Sequence, residues 1–464
     1  MFSRQCYRHL LPIFSVALIC ALPNLTAADW RDDIGLTALK AKIGDLLEDG
    51  AGLSIVQVEA PNGSAYLPDV TLSVFEGKIF IDGTGTNVGA NSHATSVGRN
   101  KYANNESVAP GIAQITGYDA NDYLDRVLGR ASGSDPIAQG FDIGNHSYVG
   151  NLADNSVAQD ILERFDFVIN RDDTIMTVGV NNGAGKVTPD LLAHSYNAIA
   201  VGRASGEHSR GATTFYGAGR FKPDIVAGDS LTSFTTPRVA GAAAILRHAA
   251  SGTNGTDAIT VRSLLFAGAT KDEFADWSRT ETQPIDEVFG FGELNIYNSY
   301  HILKAGEFDG STNLFGNQVG LLGWDSGQTD GTNDLYYEFE LQEGSPLDEL
   351  SVALTWNINV IDNNASSDIF DASTELANLD LALLDSLGNV IDQSISTVSN
   401  SEHIYLKSLG PGSYRLRVSG DSVTNFGLAW QITAIPEPTC GWLVFSGVGL
   451  YLNRRRRRVR TVES

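Results

Sequence analysis

Between Leu53 and Ala227 the chain alternates short runs of β-branched and apolar residues with longer stretches of helical periodicity. A strand that leads into a helix rejoins its sheet in parallel only by crossing one of the sheet's faces. The alternation therefore confines this region to an α/β fold, a parallel sheet with helices on both faces. Strands are expected at 53–58, 111–115, 141–144, 174–180 and 198–201, and helices at 35–47, 123–130 and 157–169. Past about residue 310 the helical periodicity stops. Alternating segments bounded by turn residues take over, as in Leu335-Tyr336-Tyr337-Glu338-Phe339-Glu340-Leu341 and Tyr414-Arg415-Leu416-Arg417-Val418. That texture predicts an all-β sandwich of jelly-roll type, with the boundary near 305–320.

Cysteine and charge narrow the chemistry. The 464 residues include three cysteines, Cys6, Cys20 and Cys440, so residues 29–435 hold no thiol and offer neither a disulfide, a thiolate metal ligand nor a cysteine nucleophile. The chain carries a formal charge of −23, although eight of its 32 basic residues lie in the two terminal segments. The region between is more acidic still, which argues against nucleic acid as a partner and suits solubility or bound divalent cations.

The ends read as addresses. Residues 1–28 combine basic Arg4 and Arg8, a short apolar stretch and the small-residue exit Leu25-Thr26-Ala27-Ala28, the layout of a secretory signal peptide. At the other end Pro436-Glu437-Pro438 precedes an apolar run to Leu452 and then an arginine cluster. The run is short for a membrane span. In this order the three features resemble the PEP-CTERM sorting signal of certain Gram-negative bacteria. The resemblance implies export across the cytoplasmic membrane, transient membrane contact through the tail, and an exosortase-type partner. It also implies delivery to the cell surface, outer envelope or extracellular matrix. The expected domains are a signal peptide at 1–28, an α/β domain at 29–309, a β-sandwich at 310–435 and a sorting tail at 436–464.

The segment most specific for chemistry is Leu231-Thr232-Ser233-Phe234-Thr235-Thr236-Pro237-Arg238-Val239-Ala240-Gly241, which leads into Ala242-Ala243-Ala244. A helix beginning at Ser233 presents unpaired N–H groups and a positive dipole end where an oxyanion would develop. The small residues that follow let such a helix be buried on nearly all sides. Together with Phe221-Lys222-Pro223-Asp224 and Asn197-Ala198-Ile199-Ala200-Val201-Gly202, the segment resembles the serine loop of subtilisin-like serine peptidases of family S8. The resemblance covers roughly residues 35–305 and makes Ser233 the nucleophile.

A serine hydroxyl needs a base. Ser92-His93-Ala94-Thr95-Ser96-Val97-Gly98, followed by Ser107-Val108-Ala109-Pro110-Gly111, resembles the family's histidine segment, so His93 is the expected general base. By the same resemblance Ser147, Tyr148, Val149 and Gly150 bind the substrate backbone. In Val180-Asn181-Asn182-Gly183, Asn182 is the expected second oxyanion donor, with Asn181 as the alternative. The carboxylate departs from the family pattern, because the first strand ends in Val58-Glu59-Ala60 where an aspartate is usual. Glu59 is the expected orienting carboxylate; its rival is Asp82 in Ile81-Asp82-Gly83-Thr84-Gly85, only 11 residues before His93. Leu231, Ala94 and Ser96 also depart, and Leu231 stands where a glycine allows tight backbone geometry.

The segment after residue 310, with Leu379-Asp380-Leu381-Ala382-Leu383-Leu384-Asp385 and Gly410-Pro411-Gly412-Ser413-Tyr414, resembles the pre-peptidase C-terminal and P-type sandwich modules of secreted proteases. The resemblances together imply a secreted serine endopeptidase acting on peptide or protein substrates. The chemistry would require no cofactor, and acidic loops could hold structural calcium. The departures leave a second expectation open, an inactive surface or matrix binding protein on the same fold.

Overall fold

A computed structural model describes residues 29–185, 187–343 and 349–432. The expected signal peptide and the whole of the expected sorting tail, from Pro436 on, lie outside the described residues. The first unit is built on seven parallel strands: β1 (Ser54–Glu59), β2 (Ile79–Asp82), β3 (Gln114–Asp119), β4 (Ile143–His146), β5 (Ile175–Gly179), β6 (Ile199–Arg203) and β7 (Ile225–Ala227). Their order across the sheet is β2-β3-β1-β4-β5-β6-β7. The expected α/β class is therefore what the chain forms, and the order reverses at β1, where strand C-termini open a crevice.

β2 was not expected as a strand. It occupies the sheet edge, and its alternately exposed residues lack the continuous apolar run that marks a buried parallel strand. The helix expected at 123–130 is instead a short helical turn, Ala120–Asp122, that widens into a π turn, Tyr123–Val127.

One face of the sheet is covered by the helix Asn155–Asp172, which Asp154 caps by accepting from Ser156 N at 2.8 Å. The other face carries the helix Thr232–Ala249, buried along most of its length as its run of alanines permits. Gly241 lets that helix press against the loop before β3, since a Cβ there would lie 2.6 Å from Val108 Cβ.

The last helix of this unit ends at Ala305, and sandwich strands run from Asn317 to Gln431. A five-stranded and a four-stranded sheet enclose a second core around Trp356, Trp430, Tyr337 and Phe339. All pairings are antiparallel except that of Asn317–Gln318 with Leu335–Leu341. The four-stranded sheet also packs against the first unit: Trp324, Ala353 and Ala429 join its core, and the helix Ala258–Gly268 lies on the strand Val423–Gln431. There Gly427 is required, because a Cβ would come within 2.7 Å of the Ile259 carbonyl oxygen.

Candidate active site

The C-terminal ends of the neighbouring strands β1, β4 and β5 deliver Glu59, Ser147 and Asn182 to one edge of the sheet. Two helices that begin at this edge add the histidine and the serine.

His93 sits in the first turn of the helix Ser92–Lys101. Asn91 caps it, accepting from His93 N at 2.8 Å and Ala94 N at 3.1 Å, while its own amide donates to Ala60 O and Ala65 O. One side chain thereby ties the helix start to the loop that leaves β1. The tie brings His93 Nδ1 to 2.7 Å from Glu59 Oε2. Facing a carboxylate, Nδ1 carries the proton, and in the neutral imidazole Nε2 is left as the acceptor. The Glu59 side chain is wholly buried, whereas that of His93 is 39% exposed. The hydrogen bond and charge of Glu59 raise the imidazole above its ordinary value against the opposing effect of burial.

Asp82, the rival carboxylate, lies on the edge strand with β3 between it and β1. Its oxygens accept from Gly85 N at 2.7 Å, Asn87 N at 3.0 Å and the Tyr66 hydroxyl, so it closes its own turn. Of the two carboxylates, it is Glu59 that the structure brings to His93.

Ser233 is the second residue of the helix Thr232–Ala249, and the ring of the next residue, Phe234, lies 6.3 Å from that of His93. Leu231 has φ −140° and ψ 143°, ordinary extended backbone, so the missing glycine imposes no strain. Leu231 also offers no side-chain cap, which leaves N–H groups of the first turn open. Asn182 Oδ1 takes Thr232 N at 2.9 Å. Among the described residues neither Asn182 Nδ2 nor Ser233 N–H has a protein acceptor. Asn181, the alternative, spends its backbone N–H and C=O on Ser209.

Pro237 has a local consequence here. Lacking an N–H, it cannot satisfy the Ser233 carbonyl one turn earlier, and Ser147 Oγ donates to that carbonyl at 3.1 Å. Asn145 Nδ2 in turn holds Ser147 Oγ at 2.9 Å. The nucleophile helix is thus fastened to the start of the segment Ser147, Tyr148, Val149 and Gly150, in which Val149 is exposed. Ser233 Oγ donates to Ser147 O at 3.4 Å, and no hydrogen bond joins it to His93.

Sequence reasoning passed over the residues behind Glu59. Gln57 and Tyr102 form a buried hydrogen-bonded chain to it, and buried Lys101 lies nearby. A glutamine and a glutamate two apart in an otherwise apolar strand were the available signal, since both fall on one face. Three other histidines of the first unit stand apart from the site. His146 is buried without partners and pushed down to about 3, while His194 and His208 bond backbone groups.

Among the described residues one carboxylate group could approach a cation: ligand oxygens of Glu307, Asp309 and Asp325 lie within 4.8 Å of one another. Calcium takes about 6–8 oxygens. Asp325 Oδ2 accepts from Tyr337 at 2.6 Å and Gly310 N at 3.1 Å, and the three carboxylates alone supply fewer oxygens than calcium takes.

No protein-family model matches the chain, and no curated protein does. Similar solved structures include a cold adapted subtilisin-like serine proteinase, 16% identical, covering 53% of this chain and 90% of that one at a TM-score of 0.35. The PatG macrocyclase in complex with peptide is 18% identical, covering 55% and 92% at 0.40. Fervidolysin from Fervidobacterium pennivorans, a keratinolytic enzyme related to subtilisin, is 13% identical and covers 88% of this chain and 77% of its own at 0.40.

Proposed function

We propose that the chain is a secreted serine endopeptidase of the subtilisin-like kind, with Ser233 as nucleophile, His93 as general base and Glu59 as the orienting carboxylate. The observation that carries the reading is the 2.7 Å hydrogen bond from His93 to a wholly buried Glu59, beside a helix with Ser233 in its first turn. A carboxylate so placed holds the imidazole in the tautomer whose free nitrogen accepts a proton, and it steadies the cation that results.

In the proposed reaction a peptide lies along Ser147 to Gly150. Ser233 Oγ turns from Ser147 O to His93 Nε2 and gives up its proton there as it attacks the scissile carbonyl. The Ser233 N–H and Asn182 Nδ2, both without acceptors, receive the oxyanion. Collapse expels the amine, protonated by His93, and leaves an acyl-serine that water hydrolyses by the same steps. No cofactor enters this chemistry. The proposal extends to export and surface sorting by an exosortase-type partner, with transient membrane contact through the tail. That part rests on the sequence of residues 1–28 and 436–464 alone.

A second reading, a binding protein on the same fold that has lost turnover, is favoured by one observation. Ser233 Oγ is engaged with Ser147 O and not with His93. Labelling of the purified protein with a fluorophosphonate, alongside Ser233→Ala and His93→Ala, separates the two. The peptidase reading expects labelling that vanishes in Ser233→Ala and collapses in His93→Ala, whereas a folded protein that never labels supports the binding protein.

A further inference from the structure

A glutamate in place of an aspartate carries one more rotatable bond, and that freedom has to be removed before its carboxylate can aim an imidazole. The residue that removes it is on the same strand. Gln57 and Glu59, two apart on β1, face the same side and are both buried.

Gln57 Nε2 donates to Glu59 Oε1 at 2.8 Å and to Ala94 O at 3.0 Å. Its Oε1 accepts from the Tyr102 hydroxyl at 2.7 Å. Both amide hydrogens and the amide oxygen are therefore committed. A flipped amide would set its oxygen against a carboxylate oxygen and a carbonyl, and its NH₂ against the tyrosine hydroxyl, which then gives up its acceptor. With Oε1 of Glu59 held this way, Oε2 is the atom left for His93 Nδ1. The same glutamine grips the His93 helix at two places, at Ala94 beside the histidine and at Tyr102 just past its last turn.

We infer that Gln57, fixed by Tyr102, is a positioning residue that enables a glutamate to serve as the carboxylate of His93. The inference rests on the peptidase reading. It predicts that the larger part of the effect of Gln57 on the reaction runs through Glu59, a dependence that a purely structural residue would not have, with the remainder running through its bond to Ala94 O on the His93 helix.

The test is a double-mutant cycle between Gln57→Leu and Glu59→Ala, read by kcat and KM on a peptide ester and by NMR titration of His93. Gln57→Leu is expected to lower kcat by about tenfold or more with KM within about twofold, and to move His93 down toward its ordinary value. In the Glu59→Ala background, where only the bond to Ala94 O is left to lose, the same change is expected to lower kcat by no more than about twofold and to leave His93 unmoved. Equal effects of Gln57→Leu in both backgrounds, or no effect in the wild-type background, would overturn the inference.

Should Gln57→Leu fail to fold, Tyr102→Phe decides. It removes the hydroxyl that fixes the amide and spares both amide donors. It is expected to lower kcat and His93 in the same direction by a smaller factor, and unchanged values overturn the role. If the wild-type protein hydrolyses nothing, the peptidase reading fails. The His93 titration then still reports whether Gln57 positions Glu59, so the two failures stay distinguishable.

Discussion

Replacing Lys101 by methionine tests how charge is distributed beneath the site. Lys101 lies on the same helix as His93 and is wholly buried. Its Nζ reaches the Val56 carbonyl at 3.5 Å and sits 5.7 Å from the centre of the Tyr102 ring, with no carboxylate at ion-pair distance among the described residues. Burial pushes the ammonium down to about 7, against partial support from the Glu59 charge. The unfolded chain keeps this proton up to about 10.5. Between those values the unfolded state binds more protons than the folded one, so stability rises with pH across the window, by up to ~1.4 kcal/mol per pH unit.

The penalty is complete below pH 7 and gone above about 10.5, a difference on the order of 4–5 kcal/mol before local relaxation and water entry reduce it. Methionine has a stem of similar length and nothing to titrate, and Glu59 keeps Gln57 and His93 as partners. Lys101→Met is therefore expected to be more stable than the wild type by several kcal/mol near pH 6 and to lose most of that advantage near pH 10. Urea unfolding of both proteins at several pH values, with matching m-values, measures the difference. An advantage that does not change with pH, or a variant less stable near pH 6, refutes the reasoning.

Glu59→Asp withdraws the carboxylate by roughly one C–C bond, ~1.5 Å, and opens the bond to His93, so fluorophosphonate labelling should slow by ~10²-fold or more. Asp82→Asn should leave the labelling rate within about threefold and cost stability instead, since it weakens the acceptors of its own turn. Asn182→Ala should reduce kcat by ~10²–10³-fold with little change in KM, as removal of an oxyanion donor does. Because the general base must be neutral and Glu59 raises His93, the acid limb of the activity profile should have its midpoint above the ordinary histidine value of 6.5. In Glu59→Gln that midpoint should move down. Gly427→Ala drives a Cβ against the Ile259 carbonyl and should cost about 1–3 kcal/mol in thermal unfolding.

The parallel sheet was legible because β5 and β6 are buried on both faces and read as nearly continuous apolar runs, while β1 keeps Ile55, Val56 and Val58. The edge strand Ile79–Asp82 has half that burial, and its sequence drew attention only as the setting of a carboxylate. The choice between Glu59 and Asp82 depends on strand order, which puts β3 between β1 and β2, and order across a sheet is not written in spacing along the chain. Ser233 and His93 could be singled out because each lies in a contiguous segment that resembles a subtilisin-like motif, a local pattern. The grip of Gln57 on Glu59 depends on Tyr102, 45 residues away, and no local pattern records it. The concern over Leu231 came from residue type alone and dissolved once its backbone angles were known.

The strand Val423–Gln431 is flanked by antiparallel partners on both sides, Leu322–Asp330 and Leu350–Trp356, while the helix Ala258–Gly268 presses on it at Gly427. A pull on the chain beyond Gln431 loads this strand along its length, so its ladders on both sides resist in shear and must fail together instead of unzipping one bond at a time. Survival under tension is set by the unfolding rate and not by equilibrium stability. The described chain thus leaves the sandwich through a strand that two neighbouring strands and a helix of the first unit hold at once.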